Sequence, residues 1–404
     1  MRVTQSLMFR NGADALQRKY QEVLKTQEKT LSGNRVNKPS DDPTATFRQG
    51  VFTSNLAEVK SLTETTRRAQ ERMGMAEDQI TNLHDRLQEA HDLVMQLGNS
   101  YQGGQPDVLR AQAEKAMAWF QDTLAGMNTE MDGVPLFGGG RTGNPFDLTN
   151  LRTTGIVQRT GPTGGFADAG ADFSAGVTGS DAAVPSSVMV TYRTTDDTGA
   201  ALAAPEFRLS VNGASLTSVA ATGGAQTLNL GNGISFSVAA GAVMTDKQAF
   251  HFQVVPEYQG GSSDREVKIA TGQKVPGNVT GAQLMEGSTD LSNGANVFEV
   301  FAGLRGALQR MDPDEVRAWL PKLQSALGQV SNMQGVTGTR GAQLEAMGAT
   351  FAQEQESLQE AATANVGIDS FEVMSRLEQA TQAMQFMSVT QREVLNTSLL
   401  DFIK

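Results

Sequence analysis

Apolar residues recur at every seventh position through both ends of this chain, and the pattern stops in its middle. From Phe52 to Leu97 one series runs Phe52, Val59, Thr66, Met73, Ile80, Leu87 and Val94, interleaved with Leu62, Ala69, Ala76, Leu83, Ala90 and Leu97. Such a repeat belongs to helices that pack along one seam, and at 1.5 Å per residue it predicts a helix of roughly 70 Å. Ser40-Asp41-Asp42-Pro43 marks its start, with side-chain oxygens to cap free N–H groups and a proline suited to an early helical position. On the returning side Val316, Leu323, Val330, Thr337, Leu344, Phe351 and Leu358 keep the same spacing. Pro321 should offset the start of that helix, and Gly341 and Gly348 leave room for a close neighbour.

Three further helices complete the pattern. Leu109, Ala113, Ala116, Phe120, Leu124, Met127 and Met131 mark one after the break at Gly103-Gly104-Gln105-Pro106, and so short a break predicts an antiparallel partner. The outermost two carry Leu16, Tyr20 and Val23 near the N-terminus and Val373, Leu377, Ala380, Met384, Met387 and Val394 after Asp369. Each shows a single apolar stripe and buries little as an isolated pair. We expect them to be loose in the monomer and to order on assembly, as segments that fold on binding do.

Between Gly133 and Gly294 lie 26 of the 42 glycines, and strand-like alternation replaces the heptads. Val188–Tyr192, Phe207–Val211, Ile234–Val238 and Phe250–Val254 have strand composition, and Asn212-Gly213 and Asn232-Gly233 supply hairpin turns. The expected class is α+β and multidomain: a discontinuous long-helix bundle formed by both ends of the chain, with an inserted β-rich outer domain. The boundaries read from the sequence are 1–40 with 366–404 for the terminal coiled-coil helices, 41–146 with 285–365 for a helical core domain, and 147–284 for the insert.

Chemistry of the catalytic kind is sparse. The chain has three histidines and no cysteine. His84 and His91 stand seven apart without the spacing of a zinc motif, and His251 lies in an expected strand without a nucleophile beside it. Gly138-Gly139-Gly140-Arg141-Thr142-Gly143 lacks the Gly-Lys-Ser/Thr ending of a phosphate loop and reads as a flexible hinge. Asp41 and Asp42 could hold a cation with Ser40, but helix capping explains them more simply. We therefore expect no enzyme, no cofactor and no metal site. A net charge of −11 argues against nucleic acid or an anionic membrane as partner. The first ten residues hold no apolar core of signal-peptide length, and no run approaches a membrane span.

Local motifs then carry a resemblance. Met1–Phe9 and Ser32-Gly33-Asn34-Arg35-Val36-Asn37-Lys38-Pro39-Ser40-Asp41-Asp42-Pro43 resemble the N-terminal region of the bacterial flagellin superfamily, in the form used by its hook-filament junction members. Leu136–Phe146 is similar to the family's aromatic-Gly-Gly stretch, Thr337–Glu345 with Arg340 to its Gly-Ala-Arg region, and Ser398-Leu399-Leu400-Asp401-Phe402 to the junction-type ending. Tyr258–Ile269 resembles a segment that follows the Pro-Phe motif sooner in the family, so residues 150–256 look like an enlarged outer domain. The resemblance implies a structural protein of the flagellum, exported unfolded by the flagellar type III apparatus and assembled as a ring of identical subunits between hook and filament. It implies a hook-side junction protein, flagellin and an export chaperone as partners, the last at the C-terminal helix. Filament flagellin itself, or a secreted adhesin using the insert, are the alternatives.

Overall fold

The computed structural model describes residues 2–99, 106–160, 166–178, 185–270, 273–286 and 295–402; the Gly103-Gly104-Gln105 break lies outside them. Helices form along the expected stripes at α1 (Arg2–Ser32), α2 (Pro43–Asn99), α3 (Pro106–Met127), α6 (Pro313–Ala318), α7 (Leu320–Val366) and α8 (Ser370–Phe402), and two more, α4 (Gly281–Met285) and α5 (Val297–Arg310), lie outside them. Strands occupy the glycine-rich middle. The chain is thus a mixed helix and sheet protein with long helices at both ends. It divides into two compact units, one of residues 1–64 with 348–404 and one of residues 65–347.

In the larger unit the seam of α2 is buried at Thr66, Ala69, Met73, Ala76, Ile80, Leu83, Leu87, Ala90 and Val94. Antiparallel α3 lies beside it, with Arg86 3.5 Å from Asp122 and Lys115 3.2 Å from Glu89. Antiparallel α7 is tied to it by Gln70 Nε2 donating to the Leu344 carbonyl at 2.9 Å and by Gln334 Nε2 near Thr81 Oγ1 at 3.4 Å. Pro321 stands in the first turn of α7, where its missing N–H costs nothing, so Val316 falls on the separate short α6. A Cβ at Gly341 would meet Met73 Cγ at an ordinary 3.8 Å, so the seam does not require that glycine.

Helix α5 is buried on nearly every side and forms a middle layer. One side packs on α3, the other on the strands Gln248–Tyr258 and Ser186–Thr195. Asn296 caps its start, with Oδ1 accepting from Glu299 N at 3.1 Å. Gly306 permits the close approach of the sheet, since a Cβ there would lie 2.2 Å from Ser187 Oγ.

The insert is a pair of sheets face to face. In the larger, Gln248–Tyr258 pairs antiparallel with Ser186–Thr195 along one edge and with Phe146–Thr153 and Val157–Thr160 along the other, and Ser186–Thr195 pairs in turn with Ala201–Val211. The smaller joins Gln226–Gly231, Ile234–Val238 and Phe173–Val177. Phe236, Phe250, Phe252, Val188, Val190 and Phe207 fill the space between them. Both expected hairpin turns are present, with φ of +48° and +75° at Asn212-Gly213 and +53° and +73° at Asn232-Gly233, the positive pair a type I′ turn needs.

Buried ionic contacts join the insert to the helices. Glu315 on α6 is wholly buried, accepts from Arg310 Nε at 2.9 Å and from Arg310 Nη2, and lies 3.3 Å from His251 Nδ1 without hydrogen-bond geometry. Burial alone would raise the Glu315 pKa, but the Arg310 guanidinium and His251 hold it well below the carboxylate range. Arg159, also buried, lies 3.0 Å from the α6 cap Asp312.

Candidate assembly site

The smaller unit is where chain segments from both ends meet. After α1 the backbone N–H of Arg35 donates to the Val366 carbonyl at 2.6 Å, and Asn34 bridges Gly367. Arg35 Nη2 reaches the Asn365 carbonyl at 3.2 Å, and Nη1 reaches Asp42 Oδ2 at 3.2 Å. Asn365 Nδ2 donates to the Ala45 carbonyl at 2.8 Å. One clasp therefore fixes the exit of α1, the entry of α2, the exit of α7 and the entry of α8.

The acidic pair does capping work. Asp42 Oδ1 accepts from Ala45 N at 2.9 Å and so caps α2, with Pro43 as the first helical residue. Asp41 Oδ2 accepts from Lys38 N at 3.1 Å and Asn37 N at 3.3 Å, which closes the Asn37-Lys38-Pro39-Ser40 turn. The Lys38 and Asn37 backbone bonds hold the Asp41 pKa below 3.8, and the Ala45 bond and Arg35 do the same for Asp42. Groups lowered in this way stabilise the fold above their unfolded value and lose that contribution as pH falls through the folded one. The clasp is expected to loosen below about pH 4, seen as faster amide exchange at Arg35 and Ala45. Asp42→Asn, which keeps a capping oxygen, should show a shallower acid dependence.

Helices α1 and α8 pack along each other from this clasp, antiparallel because one ends and the other begins there. Of the residues expected on their stripes, Val23 and Ala380 are buried and Leu16, Val373, Leu377, Met384 and Met387 half-buried, whereas Tyr20 is 54% exposed. The Val394, Ser398, Leu399 and Leu400 side chains lie outside the described residues.

A second apolar stripe was not anticipated from the sequence. Phe371 (86% exposed), Met374, Phe386 (78%) and Val389 stand free on α8. At 3.6 residues per turn they share about 120° of arc, opposite the half-buried residues. Tyr20, Leu24 and Leu31 form a similar exposed line on α1. The signal was the spacing of fifteen and eighteen residues from Phe371 to Phe386 and Val389, which a search for one continuous stripe passes over. Among the described residues of this unit five apolar ones are buried (Val23, Ala45, Val59, Phe351 and Ala380) and ten large ones exposed, Phe47 and Val51 among them.

The other motif residues sit in the larger unit. Arg340 on α7 donates through Nη1 to the Asn278 carbonyl and places Nη2 3.4 Å from Asp264. In the Gly138–Gly143 stretch, expected from its composition to be a hinge, Gly138 and Gly139 are held in place, whereas residues 140–143 are exposed. Leu136 to Gly139 are buried, Gly261 N donates to the Gly138 carbonyl at 3.0 Å, and Tyr258 Oη donates to the Phe137 carbonyl at 2.9 Å. Asn128 holds Phe146 by both backbone groups, at 2.8 and 3.1 Å. Burial pushes the Tyr258 phenol up to about 12, so it stays a donor. Gly139 has φ +55°, and a Cβ there would lie 1.8 Å from the Gly261 carbonyl oxygen. Gly139→Ala is expected to cost about 3 kcal/mol in denaturant unfolding, an outcome a hinge would not give.

Among the described residues no three or more metal-ligating side chains converge, and no helix is long and apolar enough to cross a membrane. His84 and His91 lie on partly exposed faces of α2 next to Asp85 and Asp92.

Residues 5–142 match the family of the bacterial flagellin N-terminal helical region. No curated protein matches the chain. Among solved structures it is similar to a putative flagellar hook-associated protein from Vibrio parahaemolyticus (13% identity, TM-score 0.48, covering 81% of this chain and 100% of that one). It is also similar to flagellar hook associated protein-3 from Legionella pneumophila (14%, 0.36, 78% and 97%) and to FlgL from Xanthomonas campestris (15%, 0.32, 77% and 99%).

Proposed function

Because the N-terminal third of this chain belongs to the bacterial flagellin N-terminal helical region family, we propose that the protein is a structural subunit of the flagellum placed at the junction between hook and filament. The observation that carries the assembly reading is the doubly apolar α8 beside the exposed line on α1. A helix pair that leaves Phe371, Phe386, Tyr20 and Leu31 in water gains by packing on neighbours. Residues 1–40 with 366–404 would form the inner tube of a ring, 41–146 with 285–365 the surrounding helical domain, and 147–284 the outward face. One surface of the ring would pack on the hook-side junction protein and the other receive flagellin. Export through the flagellar type III apparatus would require a chaperone over the α8 stripes.

The junction reading rests on the Asn37-Lys38-Pro39-Ser40-Asp41-Asp42-Pro43 turn and the Ser398–Phe402 ending. Deletion in the source bacterium tests it, with hooks viewed by electron microscopy and flagellin measured in the medium. Bare hooks with shed flagellin are expected. Absent filaments without shed flagellin would favour filament flagellin, and intact filaments would turn attention to an adhesin.

A further inference from the structure

One cavity lies wholly inside the insert, where the assembly reading gives it no task. It measures about 260 Å³ and opens between the two sheets, with Tyr192, Pro205, Phe207, Val238, Ala242 and Met244 in its wall. Close-packed interiors leave few voids larger than a water, and an apolar cavity of about 150 Å³ is known to stay dry and to take up benzene.

The lining restricts what can enter. Among the described residues no charged side chain borders the space. The Tyr192 and Phe207 rings stand 5.5 Å apart, inclined at 56°, and Met244 adds a thioether, a favourable neighbour for a ring. The polar side chains at the mouth are occupied with one another. Gln226 Oε1 accepts from Thr222 N at 3.1 Å and Oγ1 at 3.3 Å, and Gln226 Nε2 donates to the Ala220 carbonyl at 2.9 Å. The Tyr192 hydroxyl is left as the one side-chain polar group of the wall with no partner among the described residues. A sugar, with hydroxyls around its ring, would find few free side-chain partners and would depend on backbone groups of the Thr222-Gly223-Gly224 mouth. An ion would find no counter-charge.

We propose that this pocket binds a small neutral aromatic molecule of phenol or indole size, with at most one polar atom directed to the Tyr192 hydroxyl. The site belongs to the insert alone, so its failure would leave the flagellar reading untouched.

The test uses the full chain and indole. One saturable site is expected, with a Kd in the millimolar range or below. The methyl resonances of Ala221, Ala242 and Met244 should move, and the unfolding temperature should rise by about 3 °C at ten times Kd. Ala242→Phe and Ala221→Phe, which fill the space, should each weaken binding at least about tenfold, and benzoate should bind at least about tenfold more weakly than indole. Unmoved methyl resonances at about 5 mM indole, equal affinity in both filled variants, or benzoate binding as well as indole would each overturn the proposal. If a filled variant does not fold, the methyl shifts and benzoate comparison in the wild-type chain decide alone.

Discussion

Phe371→Asp combined with Phe386→Asp is expected to leave the purified chain folded and to abolish its incorporation into flagella. Both rings already stand in water, so their loss should change monomer stability by no more than about 0.5 kcal/mol. In an assembly that covers them, each ring contributes about 1.5–3 kcal/mol of burial. Losing both, and burying two carboxylates instead, weakens the contact by more than a hundredfold. The counterpart, Leu377→Asp with Met384→Asp, acts on the half-buried side of α8 and should loosen the α1/α8 pair itself, with faster amide exchange in both helices and loss of chaperone binding. Electron microscopy and swarming assays read the first pair, exchange and co-purification the second. Normal motility in either double variant would sink the assembly role of that face.

The long seams were legible because a heptad is a local signal: the expected seam positions from Val59 to Val94 on α2 are all buried except Leu62, which is half-buried. Strands and hairpin turns were legible for the same reason, through alternation and Asn-Gly pairs. What failed depended on contacts distant in sequence. Gly138–Gly143 looked like a hinge because composition cannot show that Gly261 packs and hydrogen-bonds against Gly138 and Gly139. That His251 lies against the Glu315 carboxylate was not legible either, because Glu315 lies 64 residues further on. The outward stripe on α8 was hidden differently. Its residues are sparse, and a helix apolar on opposite faces has no single direction of amphipathicity for a periodic search to find.

Glu315→Ala is expected to destabilise the larger unit by about 3–5 kcal/mol, because Arg310 would stay buried with its charge uncompensated. Replacing both members, Arg310→Met with Glu315→Leu, should cost far less, since the attraction between buried charges is largely offset by their desolvation. Denaturant unfolding of the two variants separates these outcomes, and a Glu315→Ala loss below about 1 kcal/mol would show that the pair does not hold the joint. The same network fixes an acid dependence. Its carboxylate is lowered from an ordinary 4.5, so the stability it gives is complete above that value and declines as pH falls beneath it. The double variant should lose this part of the acid slope while Asp41 and Asp42 keep theirs. Acid would then loosen the clasp of the smaller unit in both proteins but strain the joint between insert and helices only in the wild type.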